Sequence, residues 1–87
     1  MIEEKLESEK SLFKEVEEIL KEVLTNKEYK VDYDECNNRA FMRINVDDLD
    51  NGTLIKVKNK IDKEKYHIEN NKKDNTTIIE VHFKSAF

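Results

Sequence analysis

The spacing of apolar residues changes twice along this chain. Leu6, Phe13, Val16, Leu20, Val23 and Leu24 recur at helical spacing, and Leu12 and Ile19 widen the stripe. This predicts a long first helix that stops near Asn26. Glu3, Glu4, Glu7 and Glu9 sit at its positive end, and Lys21 and Lys27 at its negative end, where each sign of charge is stabilised. Only Ile2 and Leu6 precede Leu12 on the stripe, so the first turns are expected to project past the core. From Tyr29 the period drops to two. Tyr29, Val31 and Tyr33 alternate with Lys30, Asp32 and Asp34; "DECNN" reads as a turn; Ala40, Met42, Ile44 and Val46 then alternate with Phe41, Arg43 and Asn45. The pattern predicts a hairpin with one face on a core.

The stretch "DDLDNGTLIKVKNK", Asp47 to Lys60, admits three readings. A calcium loop with Gly52 at its sixth position would place Leu49 at the third and Lys58 at the twelfth, where oxygen ligands are required. That template fails. "NG" followed by alternating Thr53, Ile55 and Val57 suits a tight hairpin. A helix capped by Asp48 or Asp50, with Leu54, Val57 and Ile61 on one side, is the third reading.

A longer comparison decides between the last two. Shifted by 37 residues, the chain aligns with itself without a gap. Leu20 and Leu24 fall on Val57 and Ile61, and Tyr29 and Val31 on Tyr66 and Ile68. Phe41, Met42, Ile44 and Val46 fall on Ile78, Ile79, Val81 and Phe83; "DECNN" falls on "NKKDN". Residues 51–63 are therefore expected to be helical, with the carboxylates before Gly52 acting as an N-terminal cap set. Each half becomes helix–strand–strand: unit 1 covers about residues 1–47 and unit 2 about 48–87, in one domain.

The order αββαββ predicts an α+β fold: a four-stranded antiparallel sheet with both helices on one face, a circular permutation of the ferredoxin-like plan. A right-handed crossover through the second helix leaves a gap that the last strand fills, giving the strand order 1-2-4-3. The alternative is a long N-terminal helix on an antiparallel β-meander. The expected core is Phe13, Val16, Leu20, Leu24, Val31, Met42, Ile44, Val46, Val57, Ile61, Ile68, Ile79, Val81 and Phe83. The other face would show Phe41, Arg43, Asn45, His67, Glu69, Ile78, Glu80 and His82. Phe41 and Ile78 hold equivalent places on neighbouring central strands, an apolar pair that a partner, a second copy or the C-terminal "SAF" could cover.

Composition narrows the class. Of 87 residues 41% are charged, one is glycine and none is proline, which excludes collagen-like and linker-like chains. Lys, Asn, Ile and Glu dominate, a usage typical of AT-rich genomes. No apolar run approaches the roughly 18 residues of a bilayer span. The acidic "MIEEKLESEK" does not look like a signal peptide, so a cytoplasmic, non-membrane protein is expected. Cys36 has no cysteine to pair with, and its neighbours Asp34 and Glu35 disfavour a thiolate nucleophile. The charge is uneven: residues 1–50 hold 15 acidic and 8 basic side chains, residues 51–87 hold 5 and 8. Either an acidic face addresses a basic partner, or two neighbouring elements carry complementary rims.

Candidate chemistry is sparse. His67, Glu80 and His82 share a face, with Glu80 expected opposite His67, and a His-Glu-His metal site is one reading. Ordinary surface residues are the other, and no metal or cofactor is expected. Nucleic-acid binding through Phe41, Arg43 and the lysines at 56, 58, 60, 63 and 65 is a weaker alternative, because the chain is acidic and lacks a second aromatic for base stacking. A small-ligand sensor or an enzyme of ferredoxin-like plan is a third reading, though no phosphate loop or Ser/His/Asp set supports it. The leading expectation is a non-catalytic protein-interaction module, of the kind phages or mobile elements use as inhibitors of a basic nucleic-acid-binding protein. The contact residues would be Asp32, Asp34, Glu35, Asp47, Asp48 and Asp50, with Phe41, Arg43, Ile78, Glu80 and His82 of the open face. A homodimer through that face is compatible.

Overall fold

The computed structural model describes residues 13–37 and 39–84. The expectations for Ile2, Leu6, Leu12 and the acidic first turns, and for "SAF", lie outside the described residues. The elements are α1 (Lys14–Val23), β1 (Tyr29–Cys36), β2 (Arg39–Asp47), α2 (Asn51–Lys60), β3 (Tyr66–Lys73) and β4 (Thr76–Phe83). Each element of the second unit begins 37 residues after its counterpart in the first. The left-handed residues of the two hairpin turns, Asn37 (φ 54°) and Asp74 (φ 57°), are also 37 apart. The sheet is antiparallel throughout, in the order β1-β2-β4-β3. The αββαββ reading and its strand order hold, and the meander does not form.

Local chemistry explains the helix ends. Asp50 caps α2: its Oδ2 accepts from the Thr53 N–H at 3.0 Å, and its Oδ1 from the Thr53 hydroxyl at 2.7 Å. These bonds, with Lys27 4.0 Å away, hold the Asp50 carboxyl below its ordinary range. Gly52 serves this cap rather than a turn. Its backbone is not left-handed, and a Cβ there would meet Asp50 Oδ2 at 3.3 Å. The other carboxylates of the stretch do not cap, contrary to expectation. Asp47 ends β2 and accepts from the Thr76 hydroxyl at 2.8 Å. Asp48 takes a left-handed turn (φ 52°), and its carbonyl accepts from Lys27 Nζ at 3.0 Å. The last turn of α1 is closed by Thr25, whose hydroxyl reaches the carbonyls of Lys21 and Glu22, both at 2.8 Å.

One core joins the units. Val16 and Leu20 of α1, Val57 of α2, Met42 and Ile44 of β2, and Ile79 and Val81 of β4 are fully buried together. Val31, Ile68 and Phe83, expected inside, pack at its margin. Ala40, Phe41, Leu49, Tyr66 and Thr77 are buried although the expected core omits them. Tyr66 is inside because it completes an aromatic cluster around Phe13, whose ring centroid lies 4.6 Å from Phe83, 5.7 Å from Tyr33 and 5.8 Å from Tyr66. The two tyrosine hydroxyls satisfy their polar ends on α1: Tyr66 donates to Glu15 at 3.2 Å, and Tyr33 donates to Glu17. α1 is thus held by an aromatic hub and by two hydroxyl–carboxylate bonds.

Two outcomes follow. Phe13→Ala should destabilise the fold by about 3 kcal/mol or more, read as a lower urea midpoint; a loss below about 1 kcal/mol would remove Phe13 from the hub role. Burial and the adjacent Glu15 carboxylate push the Tyr66 hydroxyl up to about 12, and burial with Glu17 raises Tyr33 as well. The unfolded chain therefore releases these protons first. Their contribution is complete below pH 10 and falls as pH rises toward 12. Between pH 9 and 11.5 the urea midpoint of the wild type should drop more than that of a Tyr33→Phe/Tyr66→Phe variant; parallel drops would refute the assignment.

Candidate functional site

The strands present alternate side chains to the two faces of the sheet. The face away from the helices is ordered by the register into rows across all four strands. The middle row is Asp32, Arg43, Glu80 and Glu69. On one side lie Asp34, Phe41, His82 and His67; on the other lie Lys30, Asn45, Ile78 and Asn71. In these three rows four carboxylates face two cations, so the surface is acidic at its centre.

Arg43 organises that centre. Its Nε lies 3.6 Å from Glu80 Oε2, its Nη1 lies 3.6 Å from Asp34 Oδ2, and its guanidinium carbon sits 5.1 Å from the Phe41 ring centroid. Phe41 stacks on His82 at 4.4 Å with 17° between the ring planes, and His82 Nε2 is 3.0 Å from Glu80 Oε1. Phe41, Arg43, Glu80 and His82 therefore close a ring of contacts. All four were expected to share this face, and the structure brings them together. It also covers Phe41, which is only 6% exposed. A buried ring offers no stacking platform for a nucleic-acid base.

The other expected contact residues divide. Asp32 and Asp34 stand exposed on this face. Glu35 has the parity of Val31 and Tyr33 and so belongs to the helix side. Asp47 ends β2 and Asp48 and Asp50 follow it, at the end of the sheet opposite the β1–β2 turn; the Thr76 hydroxyl engages Asp47, the helix cap engages Asp50, and Lys27 reaches the Asp48 backbone carbonyl. Ile78 is not beside Phe41. It pairs with Asn45 while Phe41 pairs with His82, which sets the two apart by four residues, about 13 Å along the strands. The apolar pair that would invite a second copy is not formed. Cys36 ends β1 rather than lying in the turn, and is exposed.

The uneven charge is in part answered within the fold. Lys60 lies 3.3 Å from Glu22 and Lys65 lies 3.7 Å from Glu15, so the basic second unit meets the acidic rim of α1. The lysines at 56, 58 and 60 ride on α2, on the side of the sheet away from Phe41.

The β3–β4 register differs from expectation by two residues. His67 faces His82, and Glu69 faces Glu80. Glu69, Glu80 and His82 consequently bring ligand atoms within 4.8 Å of one another, and His67 Nε2 lies 3.4 Å from Glu69 Oε1. Sequence reasoning counted Glu69 on this face but did not group it with His82. The shift of 37 relates the two registers but does not set them: Cys36 pairs with Arg39 around one turn, and Lys73 with Thr76 around the other.

Among the described residues no helix is long and apolar enough to cross a membrane. No protein-family model, curated protein or solved structure matches the chain.

Proposed function

We propose that this chain is a small acidic, non-catalytic protein-interaction module that docks a basic surface of another protein through its open sheet face. The observation that supports this reading best is the gathering of Asp32, Asp34, Glu69 and Glu80 on the sheet face that neither described helix covers. A preordered acidic face raises the encounter rate with a basic partner and loses little side-chain freedom on contact. Arg43 and the Phe41–His82 stack hold the centre in place, while Asp32 and Asp34 on the edge strand β1 remain exposed to an approaching cation. A nucleic-acid-binding protein is the proposed partner class, since its groove already suits closely spaced negative charges. The chain would then act as an inhibitor of the phage or mobile-element kind. Direct nucleic-acid binding has less support, because Phe41 is covered and the lysines of α2 lie on the opposite side of the molecule.

The immobilised chain should retain a basic protein from a nuclease-treated lysate, and excess duplex DNA should release it. Asp32→Lys/Asp34→Lys should cut retention at least tenfold. Retention that survives charge reversal would exclude this face. A mobility shift of labelled DNA by the chain alone at low salt would favour direct nucleic-acid binding instead.

A further inference from the structure

We propose that His67, Glu69, Glu80 and His82 form a binding site for a divalent transition metal, zinc being the best match, on the open face of the β3–β4 hairpin. The sequence around them is symmetric: His67-Ile68-Glu69 on β3 and Glu80-Val81-His82 on β4. Antiparallel pairing lays histidine over histidine and carboxylate over carboxylate. Four potential ligands thus occupy two adjacent cross-strand positions on one face, at the spacing where directly opposed side chains touch.

Distances support a shared ion. His82 Nε2 and Glu80 Oε1 are 3.0 Å apart, and both lie with a Glu69 oxygen inside 4.8 Å. Ligand atoms around tetrahedral zinc are separated by about 3.4 Å, given bonds near 2.0–2.2 Å. Small rotations of the exposed Glu69 side chain would close the difference without moving the backbone. His67, with Nε2 3.4 Å from Glu69 Oε1, is the fourth candidate ligand. The arrangement also contains a cost that a cation would remove. Glu69 and Glu80 are directly opposed like charges, which by themselves weaken a strand pair. Arg43 offsets only the Oε2 side of Glu80, at 3.6 Å, leaving Oε1 on the side of His82.

The ligand set argues for the metal class. Imidazole nitrogen combined with carboxylate oxygen suits zinc and its neighbours, whereas magnesium and calcium favour sets made of oxygen alone. The inference rests on these four side chains and does not depend on the interaction reading above.

Chelator-treated protein should take up one equivalent of zinc in a calorimetric titration, with little heat from magnesium, and both histidine imidazole resonances should shift. His82→Ala should weaken uptake at least tenfold. Cys36→Ser should leave it unchanged. Because His82 also covers Phe41, the exposed variants Glu69→Gln and His67→Ala provide a second arm, each weakening zinc several-fold while the urea midpoint in metal-free buffer does not fall. Absence of saturable zinc uptake by the wild type would overturn the assignment. So would uptake that persists in His82→Ala and Glu69→Gln, or that disappears in Cys36→Ser.

Discussion

The pairing of β2 with β4 is the constraint on which the rest of the molecule depends. Among the described residues it is the one strand pairing between the two αββ units, and the three rows of the open face cross it. Its register places Arg43 opposite Glu80, two residues that are themselves equivalent under the 37-residue shift. The approximate two-fold relation between the units therefore passes through an ion pair of opposite charges. On the inner side the same register sets Met42 against Val81 and Ile44 against Ile79, all fully buried. A slip of one residue by either strand would turn its two apolar side chains toward water and bring its charged residue, Arg43 or Glu80, into the core. Burial on one face and charge pairing on the other thus select the same alignment.

Charge in this chain is organised by position more than by amount. α1 brings Glu15 and Glu22 to the lysines of the second unit, while Glu15 and Glu17 also receive the tyrosine hydroxyls. The acidic residues of "DDLD" take separate tasks: the Asp47 carboxylate at a strand end, the Asp48 backbone in a turn and the Asp50 carboxylate at a helix cap. On the open face acidic side chains stand in cross-strand rows, the surface offered to the proposed partner. Exposed ion pairs contribute little to stability, so the charged rows of this surface are not what holds the sheet together.

The aromatic residues mark the same division. Phe13, Tyr33, Tyr66 and Phe83 meet beneath the start of α1 and fix the helix to the sheet. Phe41 lies on the other face, where His82 and Arg43 cover it. Buried among polar groups, it stiffens the centre of the surface and holds His82 beside Glu80. Rigidity of this kind favours both a docking surface and a metal site, because side chains held in place lose less freedom on binding.

Much of this architecture could be read from residue order alone. Apolar period separates α1 from the strands, and the 37-residue shift makes α2 a helix where "NG" by itself suggests a hairpin. Handedness and the need to fill a gap then lead to the strand order. These features follow from local geometry repeated twice, which is why periodicity captures them. Folding decided which carboxylate caps α2, that Phe41 is covered rather than offered, and that Glu69 rather than His67 stands opposite Glu80. Those outcomes depend on cross-strand register and on which side chains converge from distant positions, and a shift of two residues leaves the apolar pattern of a strand unchanged.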